Sequence, residues 1–284
     1  MDLKKLIKAK EKLNYSSVDI AARSGVPVST VYKIFQGTTE NPRKETIGAI
    51  ERVLGLRSEE PAPDALHEDT FYGGYNLSSN ARIPDYPIKK QGEYTTEDLD
   101  EYPNDIHVEL IDGVIYDMAA PKVIHQILIS ELNGEFRNYI RRNKGSCVIM
   151  SEPGVHLDCD NRTEVQPDLA VVCDRSRFKN GHIFGAPDLI VEILSPSNRK
   201  HDTIRKRNKY RSAGVKEYWI VDPEEKIILV HLFGDNYHLQ AYTFRDSVPV
   251  SIWDGAFAVD FAEIDDYITD IFGEAEDSDS EEDL

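Results

Sequence analysis

Apolar residues recur at helical spacing through the first 57 residues of the chain. Residues 2–13, "DLKKLIKAKEKL", place Leu3, Leu6, Ile7 and Leu13 at helical spacing, which predicts an amphipathic helix. Three further helices are predicted at 16–24, 27–36 and 43–56. Gly25 permits a sharp turn between the second helix and the third. Residues 1–57 are therefore predicted to form a small all-α domain.

The pattern changes twice after this segment. Residues 58–92 lack periodicity and are rich in Pro, Gly, Ser and Asn, so we predict a linker. Residues 93–272 mix strand-like and helix-like runs, which predicts an α/β domain around a mixed sheet. The fold class is therefore multidomain. The acidic segment 273–284 has no base and is predicted to be a disordered tail.

Within the α/β domain, Asp112-Gly113 between two apolar runs predicts a β-hairpin. Helices are predicted in three segments: a short one beginning near Thr95, a long one at 121–143 and another at 201–214. The remaining apolar runs predict seven strands, at 146–150, 154–158, 165–174, 187–194, 217–223, 226–233 and 237–244.

Charge is distributed unevenly along the chain. The formal net charge is −18, yet residues 1–57 carry eleven Lys or Arg against six Asp or Glu. A basic N-terminal segment suits the phosphate backbone of DNA. No apolar run approaches the length of a membrane span, and no signal segment begins the chain, so a cytoplasmic protein without membrane contact is expected. The three cysteines lack CxxC spacing and are predicted to be reduced and structural.

The second and third predicted helices resemble the phage-repressor (Cro-type) helix-turn-helix family over residues 1–57, with Ala21 at the close approach of the helices. The resemblance implies that DNA is a partner and that the third helix enters its major groove. The residues expected to contact DNA are Ser17, Val28, Ser29, Tyr32 and Lys33. Val28 and Ser29 read bases poorly, so weak sequence preference is expected. The alternative is a protein-binding module of the same shape.

Two carboxylates interrupt otherwise apolar strands. Asp168 lies in "VQPDLAVVCD", and Glu192 lies in "PDLIVEIL". An ionised carboxylate in a buried strand is costly unless something pairs with it. Two converging carboxylates are the usual protein ligands of Mg²⁺, and Mn²⁺ has similar preferences. A metal site formed by Asp168 and Glu192 is therefore predicted. A purely structural ion-pair network is the alternative.

The motifs around these residues occur in a recognisable order. They are "ELIDG" at 109–113, His125, "QPD" at 166–168, "VEILSPS" at 191–197 and "EYWIVDP" at 217–223. Together they resemble the Uma-type restriction endonuclease family of the PD-(D/E)XK nuclease superfamily over residues 93–235. The resemblance implies a restriction-endonuclease-like fold and divalent-metal-dependent cleavage of DNA.

One position departs from the superfamily motif. Leu194 stands two residues after Glu192, where the motif has lysine. The resemblance places a migrated lysine at Lys206, which we predict orients the attacking water and offsets charge on the phosphate. Lys209 is the alternative. Tyr210 shares a helical face with Lys206 and is expected to pack in the core.

Three further residues have two interpretations each. Glu109 matches an acidic residue that completes such sites, as a third metal ligand or a water holder; otherwise it is an exposed hairpin glutamate. Asp188 shares the face of Glu192, which would allow metal binding, but it follows Pro187 at the strand entrance, so a cap or turn role is expected. His125 matches a histidine of the family, but a lone helical histidine is more often a packing or surface residue.

Two functions follow from these patterns. The first is a metal-dependent endodeoxyribonuclease, positioned by the helix-turn-helix and acting with Asp168, Glu192, Lys206 and Glu109. The second is a DNA-binding transcriptional regulator whose nuclease-like domain is an inactive sensor or dimerisation unit. A homodimer is expected for either, since half-site recognition and two-strand cleavage both use two copies. The acidic tail could also occupy a basic groove as a DNA mimic.

Overall fold

The computed structural model describes residues 2–13, 15–39, 41–56, 70–72, 75–77, 89–102, 106–118, 121–195 and 202–273. The chain divides into two compact units. Unit 1 is residues 1–120 with 160–165, and unit 2 is residues 121–159 with 166–284. Most of the predicted linker at 58–92 lies outside the described residues, and so does the acidic tail from residue 274 onward.

Unit 1 begins with four helices, as the apolar spacing predicted. They are α1 (Leu3–Leu13), α2 (Ser17–Ser24), α3 (Val28–Phe35) and α4 (Lys44–Val53). The start of α2 is fixed by a capping box, in which the Ser16 side chain accepts from the Asp19 N–H and the Asp19 carboxylate accepts from the Ser16 N–H. The helix ends at Gly25, whose φ of 69° is the left-handed conformation that glycine adopts without strain.

The other described elements of unit 1 are a short helix and two pairs of antiparallel strands. The elements are β1 (Thr70–Tyr72), β2 (Tyr75–Leu77), α5 (Thr96–Asp100), β3 (Val108–Ile111) and β4 (Val114–Asp117). The predicted hairpin turn is confirmed, with φ of 53° at Asp112 and 80° at Gly113. A side chain at Gly113 would bring its Cβ to 2.6 Å from the carbonyl oxygen of Gly92, so only glycine fits.

The β3–β4 hairpin and the helices of unit 1 share one apolar core. Leu110 and Ile115 from the hairpin are buried with Ile20, Val31 and Ile34 from α2 and α3. Residues 93–118, predicted as the start of the α/β domain, therefore pack with the helices in unit 1. The division at residues 57 and 93 describes sequence segments and stays a prediction.

Unit 2 contains three long helices and eleven strands within its described residues. The helices are α6 (Val123–Arg142), α7 (Asp202–Ala213) and α8 (Phe261–Phe272). The strands are β5 (Val148–Ser151), β6 (Val155–His156), β7 (Leu169–Val172), β8 (Phe178–Lys179), β9 (His182–Phe184), β10 (Leu189–Ile193), β11 (Glu217–Asp222), β12 (Ile227–Phe233), β13 (Tyr237–Thr243), β14 (Ser247–Pro249) and β15 (Ala258–Asp260).

A six-stranded mixed sheet is the centre of unit 2, in the order β13-β12-β11-β10-β7-β5. Only the β10–β11 pair is parallel, with α7 as the crossover; the other pairs are antiparallel. This confirms the predicted mixed sheet. The short strands at residues 178–184, 247–249 and 258–260, and helix α8, were not predicted from the sequence.

One face of this sheet is covered by α6 and α8. Alternate strand residues such as Val191 and Trp219 pack there with Phe136 of α6 and Ile264 of α8. Residues of the opposite parity lie on the other face. Tyr210 of α7 packs edge-on against Tyr218 of β11 there, at 5.1 Å between ring centroids.

A disulfide corrects one sequence expectation. Cys147 and Cys173 are bonded to each other, although all three cysteines were predicted to be reduced. Cys147 directly precedes β5, and Cys173 directly follows β7. These two strands are antiparallel neighbours, so cysteines 26 residues apart meet across the sheet. The spacing rules used on the sequence cover CxxC motifs and cannot reveal a cross-strand pair. Cys159 is a free thiol.

Candidate active site

The strand register brings Asp168 and Glu192 to facing positions. In the antiparallel β7–β10 pair, Ile190 lies opposite Ala170 and Val191 opposite Leu169. The next step of the same register places Glu192 opposite Asp168, which directly precedes β7. Facing residues of an antiparallel pair share one face of the sheet, with Cβ atoms about 5 Å apart. The two carboxylates that the sequence singled out therefore converge.

Asp168 is 9% exposed and is held from two sides. Its Oδ2 atom accepts a 2.6 Å hydrogen bond from the backbone N–H of Ile193 on β10. The same oxygen lies 3.2 Å from Nε2 of His125, in the first turn of α6. These contacts fix the carboxylate at the end of β7 and compensate for its burial.

Glu192 receives two donors from α7. The Nζ of Lys206 lies 3.2 Å from Glu192 Oε1, and the hydroxyl of Tyr210 donates to the same oxygen at 2.5 Å. Lys206 is only 7% exposed and Tyr210 is fully buried. Residues 206 and 210 lie one helical turn apart, so a single face of α7 supplies both donors.

The charge state of His125 depends on Asp168. Burial lowers the pKa of the imidazole, but its hydrogen bond to Asp168 and the charge of that carboxylate outweigh burial and raise the pKa above its ordinary value. A protonated imidazole donates to the carboxylate and adds positive charge beside it. His125 is therefore a neighbour of Asp168, which the sequence analysis had left undecided.

Other candidate residues of unit 2 lie in separate ion pairs. Lys209, the alternative to Lys206, pairs with Asp158. Asp188 accepts from the backbone N–H of Cys173 at 2.8 Å and from Lys216 Nζ at 2.7 Å, which suits the structural role expected for it. Of the two lysines considered on α7, Lys206 is the one that contacts Glu192.

Glu109 lies on β3 in unit 1 and is 2% exposed, so the exposed-hairpin interpretation is wrong. Its assignment as a metal ligand or water holder stays a prediction from the sequence resemblance.

The five residues expected to contact DNA differ in exposure. Ser17, Val28 and Tyr32 are buried, at 0%, 4% and 7% exposure. Ser29 is half-buried and Lys33 is exposed. Contact with DNA requires these side chains to be accessible. In the structure, Ser17 and Tyr32 bond to the end of β4 and the residue after it.

The donor set fits a hard divalent cation. Asp168 and Glu192 are the ligand type that Mg²⁺ and Mn²⁺ prefer, and they face each other across neighbouring strands. The hydrogen bonds described above engage Oδ2 of Asp168 and Oε1 of Glu192. Asp168 and Glu192 are the residues of unit 2 that would hold such an ion.

Tyr210 has a polar contact that was not predicted from the sequence. It was expected to pack, which it does, but its hydroxyl also donates to Glu192. The available signal was its position four residues after Lys206 on the helix that follows the Glu192 strand. An amphipathic tyrosine in that position can pack its ring and still reach a polar partner.

A mixed sheet with converging carboxylates, preceded by a helix-turn-helix, defines a restriction-endonuclease-like protein. Residues 96–255 match the family described as "Uma2: Putative restriction endonuclease", and residues 6–60 match the family described as "Helix-turn-helix". The first match covers more than half of the chain. The chain belongs to the Uma2 family and carries an N-terminal helix-turn-helix.

Two further proteins are similar to this chain. A Synechocystis protein described as "Uncharacterized protein slr1290" is 26% identical over 183 residues, covering 63% of this chain and 95% of the relative. A crystal structure from Anabaena variabilis, described as "a putative nuclease belonging to DUF820", has a TM-score of 0.50 at 20% identity. That match covers 61% of this chain and 98% of the other, and it shows a shared fold. No helix in the described part of the chain is long and apolar enough to cross a membrane.

Proposed function

We propose that the protein is a metal-dependent endodeoxyribonuclease that hydrolyses DNA phosphodiester bonds and is positioned by its N-terminal helix-turn-helix. The observation that carries this proposal is the 3.2 Å contact between Lys206 Nζ and Glu192 Oε1. Leu194 occupies the position at which the motif has lysine. Helix α7 instead brings Lys206 to the carboxylate of Glu192. Membership of the Uma2 family supports the same reaction class.

Asp168 and Glu192 would hold Mg²⁺ or Mn²⁺. A divalent ion bound there supplies a more acidic water and a positive charge near the phosphate oxygens. The side chains of the protein supply further charge stabilisation. Lys206 is buried beside Glu192, so an ammonium charge there would act in a medium of low dielectric constant and would offset the charge that develops on the phosphate.

Two neighbours position these groups. The Tyr210 hydroxyl holds Oε1 of Glu192, and the Ile193 N–H with His125 holds Oδ2 of Asp168. Such contacts restrict the rotamers of the carboxylates and keep both side chains directed to one place. Glu109 is proposed as a third acidic participant on the sequence resemblance alone.

Three further predictions from the sequence belong to this proposal. DNA is the partner of both the helix-turn-helix and the catalytic unit. The active form is a homodimer, because two copies cut two strands. The protein acts in the cytoplasm. Sedimentation of the full chain with and without duplex DNA tests the homodimer directly.

The proposal is tested by incubating supercoiled plasmid with the full chain and Mg²⁺ or Mn²⁺. We expect nicked or linear product with metal and none with a chelator. Asp168→Asn should abolish cleavage while circular dichroism and DNA binding remain as in the parent chain. Metal-dependent cleavage that persists undiminished in Asp168→Asn would reject the residue assignment. DNA binding without cleavage under any metal would instead favour a transcriptional regulator.

A further inference from the structure

A carboxylate from the β3–β4 hairpin occupies the N-terminus of helix α2. Oδ2 of Asp117, the last residue of β4, accepts from the backbone N–H of Ser17 at 2.9 Å and from its hydroxyl at 2.5 Å. Lys10 Nζ lies 2.6 Å from the same oxygen. A helix N-terminus presents unpaired N–H groups and a partial positive charge, so it attracts an anion.

The hairpin also bonds to helix α3. The carbonyl oxygen of Met118 accepts from the Tyr32 hydroxyl at 2.9 Å and from Gln36 Nε2 at 2.7 Å. These contacts bury Tyr32 in the middle of the helix that would enter a DNA groove. The hairpin is therefore bonded to both helices of the helix-turn-helix.

Gln91 links the hairpin to α2 a second time. Its Oε1 accepts from the backbone N–H of Ile115 on β4 at 2.8 Å, and its Nε2 donates to Asp19 Oδ2 at 2.8 Å. Asp19 is the capping-box residue of α2. Gln91 is neutral, so the docked hairpin can be weakened without changing the charge of the chain.

The contacted atoms are the ones that a helix-turn-helix offers to DNA. In DNA-binding members of this class, the first helix of the motif meets the phosphate backbone and the second enters the major groove. A phosphate oxygen and Oδ2 of Asp117 are both anionic acceptors. The N–H and hydroxyl of Ser17 cannot serve both at once. The same holds for the Tyr32 side chain, which is buried under the hairpin.

The Asp117 carboxylate that docks the hairpin is only partly hydrogen-bonded. Oδ1 of Asp117 is buried and has no hydrogen-bond partner among the described residues. A buried carboxylate oxygen without a donor is unfavourable, so this contact is weaker than a fully paired one. Binding of DNA also gains from counterion release, which the internal carboxylate cannot offer. Displacement of Asp117 by a phosphate is therefore energetically reasonable.

We propose that the β3–β4 hairpin is an internal competitor of DNA on the helix-turn-helix, with Asp117 in the place of a backbone phosphate. The inference rests on the proposed DNA-binding role of this motif. In the closed state, Ser17 and Tyr32 are bonded to the hairpin. DNA binds this face after Asp117 and Met118 have released Ser17 and Tyr32, while Leu110 and Ile115 stay in the apolar core. The intact chain therefore binds DNA more weakly than its helices allow.

The test is the affinity of the full chain for duplex DNA, measured by fluorescence anisotropy in EDTA so that cleavage does not interfere. Asp117→Ala and Gln91→Ala should each bind about tenfold more tightly than the parent chain, the scale of one charge-assisted contact. Asp100→Ala removes the same charge from an exposed position of α5 and should change the affinity by less than about twofold. Adding Lys33→Ala to Asp117→Ala should remove the gain.

Thermal melting of each variant verifies that unit 1 remains folded, and Gln91→Ala gives an independent result if Asp117→Ala unfolds. Equal affinities of the parent chain, Asp117→Ala and Gln91→Ala would overturn the competition and leave DNA binding intact. A gain in Asp117→Ala that Asp100→Ala reproduces would also overturn it, since net charge would then be the cause. Absence of DNA binding in every variant would overturn both the competition and the role of the helix-turn-helix. Cleavage by unit 2 would still be tested separately.

Discussion

Glu192 and Glu217 are carboxylates on the neighbouring strands β10 and β11, and they lie on opposite faces of the same sheet. Glu192 pairs in register with Ile220, three residues after Glu217, so the two side chains alternate to different sides. The partners of Glu192 include a lysine and a tyrosine from α7. Glu217 accepts from neutral donors, among them Trp219 Nε1 at 2.7 Å and the Ile252 N–H at 2.8 Å.

The difference lies in the partners that separate a candidate metal ligand from a structural carboxylate. Glu217 is fully buried, and burial raises the pKa of its carboxyl although hydrogen bonds from Trp219 and from the backbone of Ile252 and Ser251 oppose the shift. No cation lies among its named partners. Glu192 has a cation at 3.2 Å and a second carboxylate opposite it. A strand carboxylate therefore becomes a candidate for metal chemistry through its partners, and burial alone does not distinguish the two.

The largest expected effect is on cleavage. Glu192→Gln removes the charge that would hold the metal and should reduce plasmid cleavage below detection. Glu217→Gln makes the same substitution on the next strand and should cleave like the parent chain. Gel assays of both variants at equal concentration, with Mn²⁺, check this. Equal losses in the two variants would contradict the distinction drawn between the two glutamates.

The second largest effect on cleavage is expected from substitution of Lys206. Lys206→Met keeps the length of the side chain but removes the charge near the phosphate, and cleavage should fall by about 10²- to 10³-fold, as when one electrostatic stabiliser of a transition state is removed. Lys216→Met is the matched control, because Lys216 pairs with Asp188 and its side chain is 67% exposed. Cleavage rates of the two variants provide the measurement, and a Lys206→Met rate near that of the control would contradict the assigned role.

For the stability of the fold, Glu217 should be the residue that matters, whereas cleavage should depend on Glu192. Glu217→Ala leaves the Trp219 Nε1–H and the Ile252 N–H without their acceptor, at about 1–3 kcal/mol for each buried donor. Glu217→Gln retains an acceptor oxygen and should lose much less. Urea unfolding followed by tryptophan fluorescence measures both. A Glu217→Ala variant as stable as the parent chain would show that this carboxylate does not support the segment at Ile252.

The smallest expected effect is a trend with pH. Because the folded pKa of Glu217 lies above its ordinary value of 4.5, the native state binds more protons in the window above that value. The parent chain should therefore lose stability relative to Glu217→Gln as pH rises from about 4.5 to the folded pKa, and the difference should then stay constant. Unfolding free energies across this range test the sign. A parent chain that gains stability relative to Glu217→Gln as pH rises would contradict the direction of the shift.

How far the sequence predicted this site depends on the residue. Asp168 and Glu192 stood out because a carboxylate in an apolar strand breaks a local pattern, and Lys206 followed from the missing lysine at position 194. Glu217 broke no pattern, since a polar first residue of a strand is common. Its burial comes from the loop that contains Ile252, which folds over it. The hydrophobic pattern of the sequence therefore did not single out Glu217.

The helix-turn-helix shows the complementary limit. Its four helices and its turn were predicted from local spacing, since each depends on residues close in sequence. The contact between Ser17 and Asp117 joins residues 100 positions apart. No local pattern encodes such a pair, so exposure of the DNA face was assumed when the structure has part of it covered. The Cys147–Cys173 bond was missed for the same reason.

The central claim is that Asp168 and Glu192 together hold a divalent ion. The most direct test is Mn²⁺ binding to the full chain, followed by electron paramagnetic resonance of the free ion. We predict that the parent chain and Glu217→Gln bind Mn²⁺ alike, and that the double variant Asp168→Asn, Glu192→Gln loses this binding. Undiminished Mn²⁺ binding by the double variant would contradict the account.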